Sequence, residues 1–406
     1  MLPISMLSVA EARARILAGL RPTSAETVPL SAAWGRVTAA PILARLDQPP
    51  HDLSAMDGYA LRGADGMADA VLRVVGHAPA GHPWQGRVGP GEAVRLFTGS
   101  VMPDGADCVL LQEDAAASDG TVTVREAVSS GRHVRAKAQD FACGDVLVAA
   151  GHRLSARDIG MAASGNHPWV AVHRAPRVAI LATGDEIALP GEPIPLGGVV
   201  SSNAHALAAL VRASGGEASI LPIAADDLAA LGDTAAAAAG FDLLLTTGGA
   251  SVGDHDLVRP GLAARGMALD FWKIAMRPGK PLLHGRMGAL PVIGLPGNPV
   301  SAMVTAILFV TAAIERLSGL PGHAPPIEAM ALAAPLPAND HRHDHLRARF
   351  AALPDGTSGI AAFDRQDSSL MRRMAAADGL ILRAPHAPAC PMGTMVEVIR
   401  FDRIGI

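Results

Sequence analysis

RVAILAT (residues 177–183) and FDLLLTT (241–247) are short, unbroken apolar runs, and each ends in threonine just before a glycine, Gly184 or Gly248. Runs of this length bounded by glycine suit strands buried on both faces. The chain between them has a different period. AHALAALVRAS (204–214) spaces its apolar residues for a helix and stops at Gly215-Gly216. EASILPI (217–223) returns to strand, and Asp226-Asp227 then cap LAALGDTAAAAA (228–239), which ends at Gly240. Strand alternating with helix from about Arg177 to Leu317 predicts a doubly wound, parallel α/β sheet. Such sheets bind ligands beyond the carboxyl ends of their strands. The glycine-bearing loops fall at those ends: TGDE (183–186), TGGASVGDHD (247–256) and, after PVIGL, LPGNPVS (295–301).

Outward from this core the texture changes. Ser8 to about Leu20 has helical apolar spacing with Glu11, Arg13 and Arg15 facing out, and SAAWGRVTAA (31–40) is expected to form a second helical piece. From Pro49 to about Val134, β-branched runs such as VLRVV, EAVRLF and TVTVREA alternate with Gly, Pro and Asp, which predicts a small β-rich domain with many turns. Helical texture returns at Ser155 to Ala163, and HPWVAVHRAP links it to the core. Beyond PGHAPPIEAM (321–330) short strand signals predict a small C-terminal β domain.

The 406 residues are half apolar with only 3% aromatics, so the cores are filled by Ala, Val and Leu. A net charge of −4 leaves no basic field for nucleic acid. Cys108, Cys143 and Cys390 form no C-x-x-C pair, which suits a reducing compartment and argues against a disulfide framework. The N-terminal residues carry charges too early for a secretory apolar region. The apolar stretch Val300–Ile314 is shorter than the roughly 18 residues a membrane span needs, and is better explained as a buried helix. A cytoplasmic protein without membrane or nucleic-acid partners is expected.

Three signals converge on the predicted strand ends. Thr183-Gly184-Asp185-Glu186 combines a turn-permitting glycine with two acids, and N–H groups of a following helix could face an anion; an ordinary capped strand-to-helix turn explains it better when taken alone. The loop Gly248-Gly249-Ala250-Ser251-Val252-Gly253-Asp254-His255-Asp256 joins glycines that let backbone approach a phosphate to carboxylates able to hold Mg²⁺. Lys273, Arg277 and Lys280 place three cations around Pro278-Gly279. Pro296, Gly297, Asn298, Pro299 and Ser301 then open a long helix whose N-terminus favours an anion. Together these describe a site for a phosphorylated ligand, an oxyanion and a divalent metal.

TGDE with SSN (201–203) downstream, GGASVGDHD, FWKIAMRPGKP and GLPGNPVSA resemble the molybdopterin molybdenumtransferase family, that is, MoeA and the E domain of gephyrin. Ser54-Ala55-Met56-Asp57-Gly58-Tyr59-Ala60 and Phe97-Thr98-Gly99 with MPDGADCV extend the resemblance in register over nearly the whole chain. It implies four domains: a mixed α/β N-terminal domain in two pieces (1–48 and 136–174), an inserted β-rich domain (49–135), a MogA-like molybdopterin-binding α/β domain (175–322) and a C-terminal β domain (323–406). It implies molybdate and adenylylated molybdopterin as substrates, Mg²⁺ as cofactor, release of AMP, and molybdenum left on the dithiolene sulfurs. By similarity Asp256 is the foremost metal carboxylate, with Glu186 and Asp185 next, and Asp57, Thr98, Glu186, Asp256 and Lys273 carry catalysis. Thr183, Gly184, Gly248, Gly249, Ser251, Arg277, Lys280, Pro296, Pro299 and Ser301 match positions facing molybdate or cofactor phosphates. Asp140 and Asp227 are looser matches. The C-terminal domain supplies an Arg and a Ser, placed at Arg347 and Ser368, with Arg349 and Ser369 as competitors. The resemblance also implies a homodimer in which Asp57 acts in trans, with a molybdopterin adenylyltransferase and molybdoenzyme acceptors or chaperones as further partners.

Two features depart from the pattern. Arg277 stands where the family more often has Lys, and a guanidinium can still bind an oxyanion. His341, His343 and His345 alternate on a predicted strand and could present a metal face, although a polar half-exposed strand is the simpler account. A tungsten-inserting paralogue and a non-catalytic scaffold remain alternatives at this point.

Overall fold

The structure is a computed structural model that describes residues 6–248 and 257–405. The chain divides into two compact units, one comprising Met1–Glu26, Gly35–Ala39 and Val172–Ile406, the other Thr27–Trp34 and Ala40–Ala171. Residues 1–48 and 136–174, expected as one discontinuous domain, are shared between these units.

The first unit opens with α1 (Val9–Ala18). Ser8 accepts from the N–H of Glu11 at 3.2 Å, and the Glu11 carboxylate accepts from the N–H of Ser8 at 2.8 Å, a reciprocal cap worth about 1 kcal/mol. Val9, Ala12 and Ile16 recur at helical spacing and are buried. The helix expected in SAAWGRVTAA does not form. Only the 3₁₀ turn Leu30–Ala32 is present, and Gly35, at φ +75°, turns the chain away from helix.

The second unit carries the expected β-rich sheet, from β1 (Gly58–Leu61), β2 (Val71–Ala78), β3 (Glu92–Leu96), β4 (Cys108–Leu111), β5 (Ala115–Ser118) and β6 (Thr121–Val124), in the order β4-β1-β3-β2-β6-β5. Its helix is α2 (Ala156–Ser164), capped by Ser155 with Asp158. Alternate residues of these strands fill two small cores, around Leu61 and Leu110 on one side and Val94 and Leu96 on the other.

The α/β part of the first unit comprises β7 (Arg177–Ala182), β8 (Ile187–Ala188), β9 (Val199–Val200), α3 (Asn203–Ala213), β10 (Glu217–Ile220), α4 (Leu228–Ala236), β11 (Leu243–Thr247), α5 (Val258–Ala264), β12 (Met267–Trp272), β13 (Met276–Arg277), β14 (Leu283–Met287) and β15 (Leu290–Leu295). The sheet order is β10-β7-β11-β15-β14-β12. The first four strands are parallel, as the crossover helices require, whereas β14 runs antiparallel to both of its neighbours, β15 and β12, so the sheet is mixed rather than wholly parallel. β7 and β11 are buried nearly throughout, which is why their sequences show no alternation.

One helical body follows, α6 (Pro299–Thr305), a π-helical turn (Ala306–Val310) and α7 (Thr311–Leu317). At 19 residues with mean hydropathy 1.7 it is longer than the apolar stretch that signalled it, and 78% of its most apolar window is buried. Its apolar residues are therefore covered by protein. Phe309 is fully buried among them, and truncation to Ala there should cost about 3–5 kcal/mol.

The C-terminal sheet is built from β16 (Glu328–Ala331), β17 (His343–Ala352), β18 (Ser358–Ala362), β19 (Gly379–Arg383) and β20 (Met395–Arg400), with α8 (Met371–Ala375) between β18 and β19. Its order is β13-β17-β19-β20-β16, with β18 paired to β17. The two-residue strand β13 thus leaves the α/β region and joins this sheet, parallel to β17.

Candidate functional site

The carboxyl ends of β7, β11 and β15 enclose a cavity of about 550 Å³. Thr183, Glu186, Gly248, Pro296, Pro299 and Ser301 line it, and all six are residues that the sequence pointed to. Gly248, at φ +96°, packs so tightly that a Cβ there would lie 2.5 Å from the carbonyl oxygen of Thr183, so the first two strand-end loops touch through backbone. Gly184, at φ +140°, has Glu186 folded over it, and a Cβ would meet the Glu186 carboxylate at 2.5 Å. No described residue hydrogen-bonds that carboxylate. It is the acidic group of the cavity wall.

TGDE does not open a helix. After Glu186 the chain runs through β8 and β9, and the next helix, α3, starts at Asn203. Neither a helix N-terminus nor a capping role therefore accounts for Asp185. Its carboxylate accepts from the N–H of Asp226 at 3.0 Å, while its own N–H donates to Asp226 at 3.4 Å, which ties this loop to the segment before α4. Asp227 caps α4 by accepting from the N–H groups of Ala229 and Ala230.

Asn203 is the residue that the sequence reading left without a role. Its amide donates to Thr247 Oγ1 at 2.8 Å and to the Gly297 carbonyl at 2.7 Å, so one side chain fixes the end of β11 against the LPGNP turn. Its place in the SSN motif was the available signal. Pro299 sits in the first turn of α6, as expected, but the N–H of Val300 is already taken by the Ser368 carbonyl at 3.1 Å. Ser368 also accepts from the Asn298 amide at 2.9 Å. Of the two candidate serines it is Ser369 that lines the cavity.

Arg347 does not face the cavity. It is 1% exposed and donates to the carbonyls of Leu370, Asp367 and Arg365, while Gln366 bonds both its N–H and its carbonyl. Burial pulls its pKa below the usual guanidinium value, with the nearby Arg373 charge adding to the effect. Its role is to clasp the 365–370 segment that carries both serines. Arg349 stacks on Phe363 instead.

The three cations diverge. Arg277 pairs with Asp344, and reaches Asp340 and Asn339 at 3.3 Å, which raises its pKa, chiefly through the Asp344 bond. Its guanidinium is thus committed to the C-terminal sheet rather than to the cavity. Lys273, at φ +79°, lays its ammonium over Trp272 at 3.8 Å. Lys280 is exposed and has no acidic partner among the described residues. None of the three lines the cavity.

Asp57 and Thr98 lie in the other unit and meet there. Asp57 Oδ1 accepts from the N–H of Thr98 at 2.7 Å and from its hydroxyl at 2.8 Å. These two bonds, the backbone one first, hold the carboxyl below the usual carboxylate range, helped by the charge of Arg95. Asp140 lies in this unit too, with its N–H bonded to the Gln48 carbonyl.

Gly249, Ser251 and Asp256 lie outside the described residues, and among those described no group of three His, Cys, Asp or Glu is placed to hold a metal ion. His343 and His345 stack at 4.7 Å on β17, while His341 precedes the strand. Burial pushes the pKa of His345 down to about 3. The pair is a buried His345 stacked on a half-buried His343, and no third metal-binding group stands with it among the described residues.

Comparison with known proteins agrees along the whole chain. Residues 7–165 match the family described as MoeA N-terminal region (domain I and II), 179–316 match the probable molybdopterin binding domain, and 329–401 match the MoeA C-terminal region (domain IV). A molybdopterin molybdenumtransferase of a Nostoc species is 41% identical, over 73% of this chain and 70% of that protein. Molybdopterin molybdenumtransferase 2 of Mycobacterium tuberculosis is 32% identical over 97% of this chain and 99% of its own. The crystal structure of a molybdopterin biosynthesis MoeA protein from Pyrococcus horikoshii superposes with a TM-score of 0.86 at 27% identity, covering 98% of this chain and 99% of that one.

Proposed function

The chain belongs to the molybdopterin molybdenumtransferase family, and from that membership we propose that it takes adenylylated molybdopterin and molybdate as substrates, releases AMP in a Mg²⁺-dependent step and leaves molybdenum on the dithiolene sulfurs. It is a transferase of molybdenum cofactor biosynthesis. One observation carries the mechanistic reading. Three loops from three strand ends close on a cavity that presents hydroxyls of Thr183 and Ser301, backbone beside Gly248 and one carboxylate, Glu186, without a partner among the described residues.

Each group has a task there. The backbone approach that Gly248 permits suits a phosphate, and the rigid turn from Pro296 to Pro299, held by Asn203, fixes where Ser301 points. Thr183 and Ser301 hydroxyls donate to phosphate or molybdate oxygen as charge develops. A hard divalent cation prefers oxygen donors, and the wall offers one that suits it, the Glu186 carboxylate without a partner among the described residues. Asp256, which the family resemblance names and which lies outside the described residues, would complete the set. When bound, Mg²⁺ would neutralise charge at the pyrophosphate link. Asp185, engaged with Asp226, serves the loop rather than the metal.

We further propose a cytoplasmic homodimer in which Asp57 and Thr98 act on the partner's cavity, receiving substrate from an adenylyltransferase and passing the cofactor to acceptor enzymes or chaperones. Two bonds from Thr98 orient Asp57 and keep it ionised, as a group acting on a substrate requires. The test is a single-turnover assay with adenylylated molybdopterin, molybdate and Mg²⁺, following AMP. Glu186→Gln should lower AMP release at least about a hundredfold with unchanged thermal stability. Normal turnover in that variant would remove Glu186 from the reaction.

A further inference from the structure

Two cations share one indole at the rim of the α/β sheet. Trp272 ends β12, and its ring carries the Lys273 ammonium at 3.8 Å and the Arg259 guanidinium, from α5, at 4.5 Å from its centroid. Elsewhere in this unit Arg15, Arg174, Arg265, Arg373 and Arg400 each have a carboxylate partner. Arg259 and Lys273 have none among the described residues. The buried indole N–H of Trp272 is also without an acceptor among them. The ring's negative face attracts each cation and cannot neutralise two full charges. Among the described residues the cluster therefore holds two positive charges with no carboxylate against them.

Register places it on the working side of the sheet. Trp272 pairs with Leu283, Leu283 with Gly294, and Gly294 with Thr246, so the indole stands in the row where β11 and β15 run into the cavity loops. Three strand spacings separate it from β11, about 14 Å.

We propose that Arg259 is an oxyanion ligand, and that Trp272 is the positioning residue that brings it and Lys273 to a single site for a tetrahedral dianion, either molybdate or a phosphate of the substrate. The proposal deepens the transferase reading and rests on it for the choice of anion. Its site consists of Arg259, Lys273 and Trp272. An aromatic ring suits the positioning task because it holds both cations without neutralising either. An acid in its place would occupy the charge meant for the ligand.

The test uses the full-length protein and measures binding, not turnover. Sodium molybdate, inorganic phosphate and AMP are titrated separately, by equilibrium dialysis and by indole fluorescence. The wild type should bind at least one of them, with a fluorescence change that disappears in Trp272→Phe while that variant's dialysis affinity stays within about threefold. Arg259→Gln, an exposed helix position, should weaken the same anion about tenfold or more, and Arg259→Lys should restore most of the affinity. Trp272→Leu should weaken it as Arg259→Gln does, which a merely structural indole would not produce at unchanged thermal stability. Dependence confined to molybdate names it as the occupant, and dependence shared with phosphate or AMP names the substrate phosphate. Unaltered affinity for all three anions in Arg259→Gln, or no anion binding by the wild type, overturns the proposal. An Arg259-dependent site in a protein that fails to release AMP would instead overturn the transferase mechanism and leave this site standing.

Discussion

Arg277→Lys restores the residue that relatives more often carry, so family resemblance alone makes it a mild change. The structure makes it a costly one. Asp344 is 4% exposed at its side chain, its Oδ2 is bound by Arg277, and its Oδ1 is buried with no partner among the described residues. The planar guanidinium reaches Asp344, Asp340 and Asn339 together, a span that a single ammonium cannot copy. Removing one partner of a buried pair costs about 3–5 kcal/mol because the other charge is stranded. Arg277 itself is 45% exposed, so water partly replaces it, and Arg277→Ala should fall near the low end, about 3 kcal/mol. Arg277→Lys keeps the charge and loses the fork, which predicts about 1–2 kcal/mol. Urea unfolding at constant m-value measures both. A double-mutant cycle with Asp344→Ala should return a coupling of about 2 kcal/mol, the double variant being no worse than Arg277→Ala. Since β13 joins the C-terminal sheet beside His343 and Asp344, the RPGKP turn should also shift, raising the molybdate concentration for half-maximal rate. Coupling below about 0.5 kcal/mol with a fully stable Arg277→Lys would refute the reasoning and return Arg277 to the oxyanion.

The two serines separate cleanly. Ser368→Ala removes the acceptor of the Asn298 amide and should cost about 1 kcal/mol in urea unfolding with little kinetic effect, whereas Ser369→Ala should raise the half-saturating substrate concentration; the reverse pattern would make Ser368 the cavity serine. If Asp57 acts in trans, Asp57→Asn and Asp256→Asn homodimers should each be nearly inactive, and co-expression should recover roughly a quarter of wild-type activity through mixed dimers with one intact site. A mixed preparation as inactive as its parents, with exchange verified, would place both residues in one subunit. His345 is buried, and burial with the neighbouring His343 lowers its pKa from 6.5 to about 3. The unfolded chain therefore binds the extra proton between those values, so stability is full above pH 6.5 and falls as the pH drops towards 3, by at most about 1.4 kcal/mol per unit. His345→Gln should flatten that acid limb in urea midpoints measured from pH 7 to 4.5, and an unchanged slope would count against it.

The parts of this molecule that were legible are those where backbone alone decides. β7 and β11 are buried on both faces, so their apolar runs could be recognised, and glycine after each had to mark a turn at the carboxyl end of a parallel strand. That reasoning brought six expected residues to one cavity. It failed where a side chain's fate depends on a partner distant in sequence. Nothing in HLRARF shows that Arg347 will be fully buried against the carbonyls of residues 365–370, and nothing in MRPGKP shows that Arg277 will be spent on Asp344. The excursion after TGDE escaped notice because two-residue strands leave no period, and its exposed Leu189, Ile194 and Leu196 imitate the interior of an element. The serines differ by one position, and the phase is set by Asp367, which accepts from both the N–H and the hydroxyl of Ser369. A common physical cause lies behind these failures. A carboxylate or hydroxyl at a strand end is placed by short, local bonds, so its motif carries its geometry. A long cation is placed by whichever distant acceptor or ring captures it, and its motif records only that a charge is present. Arg259, inconspicuous in sequence and stacked on Trp272 in the fold, is the same principle working in the opposite direction.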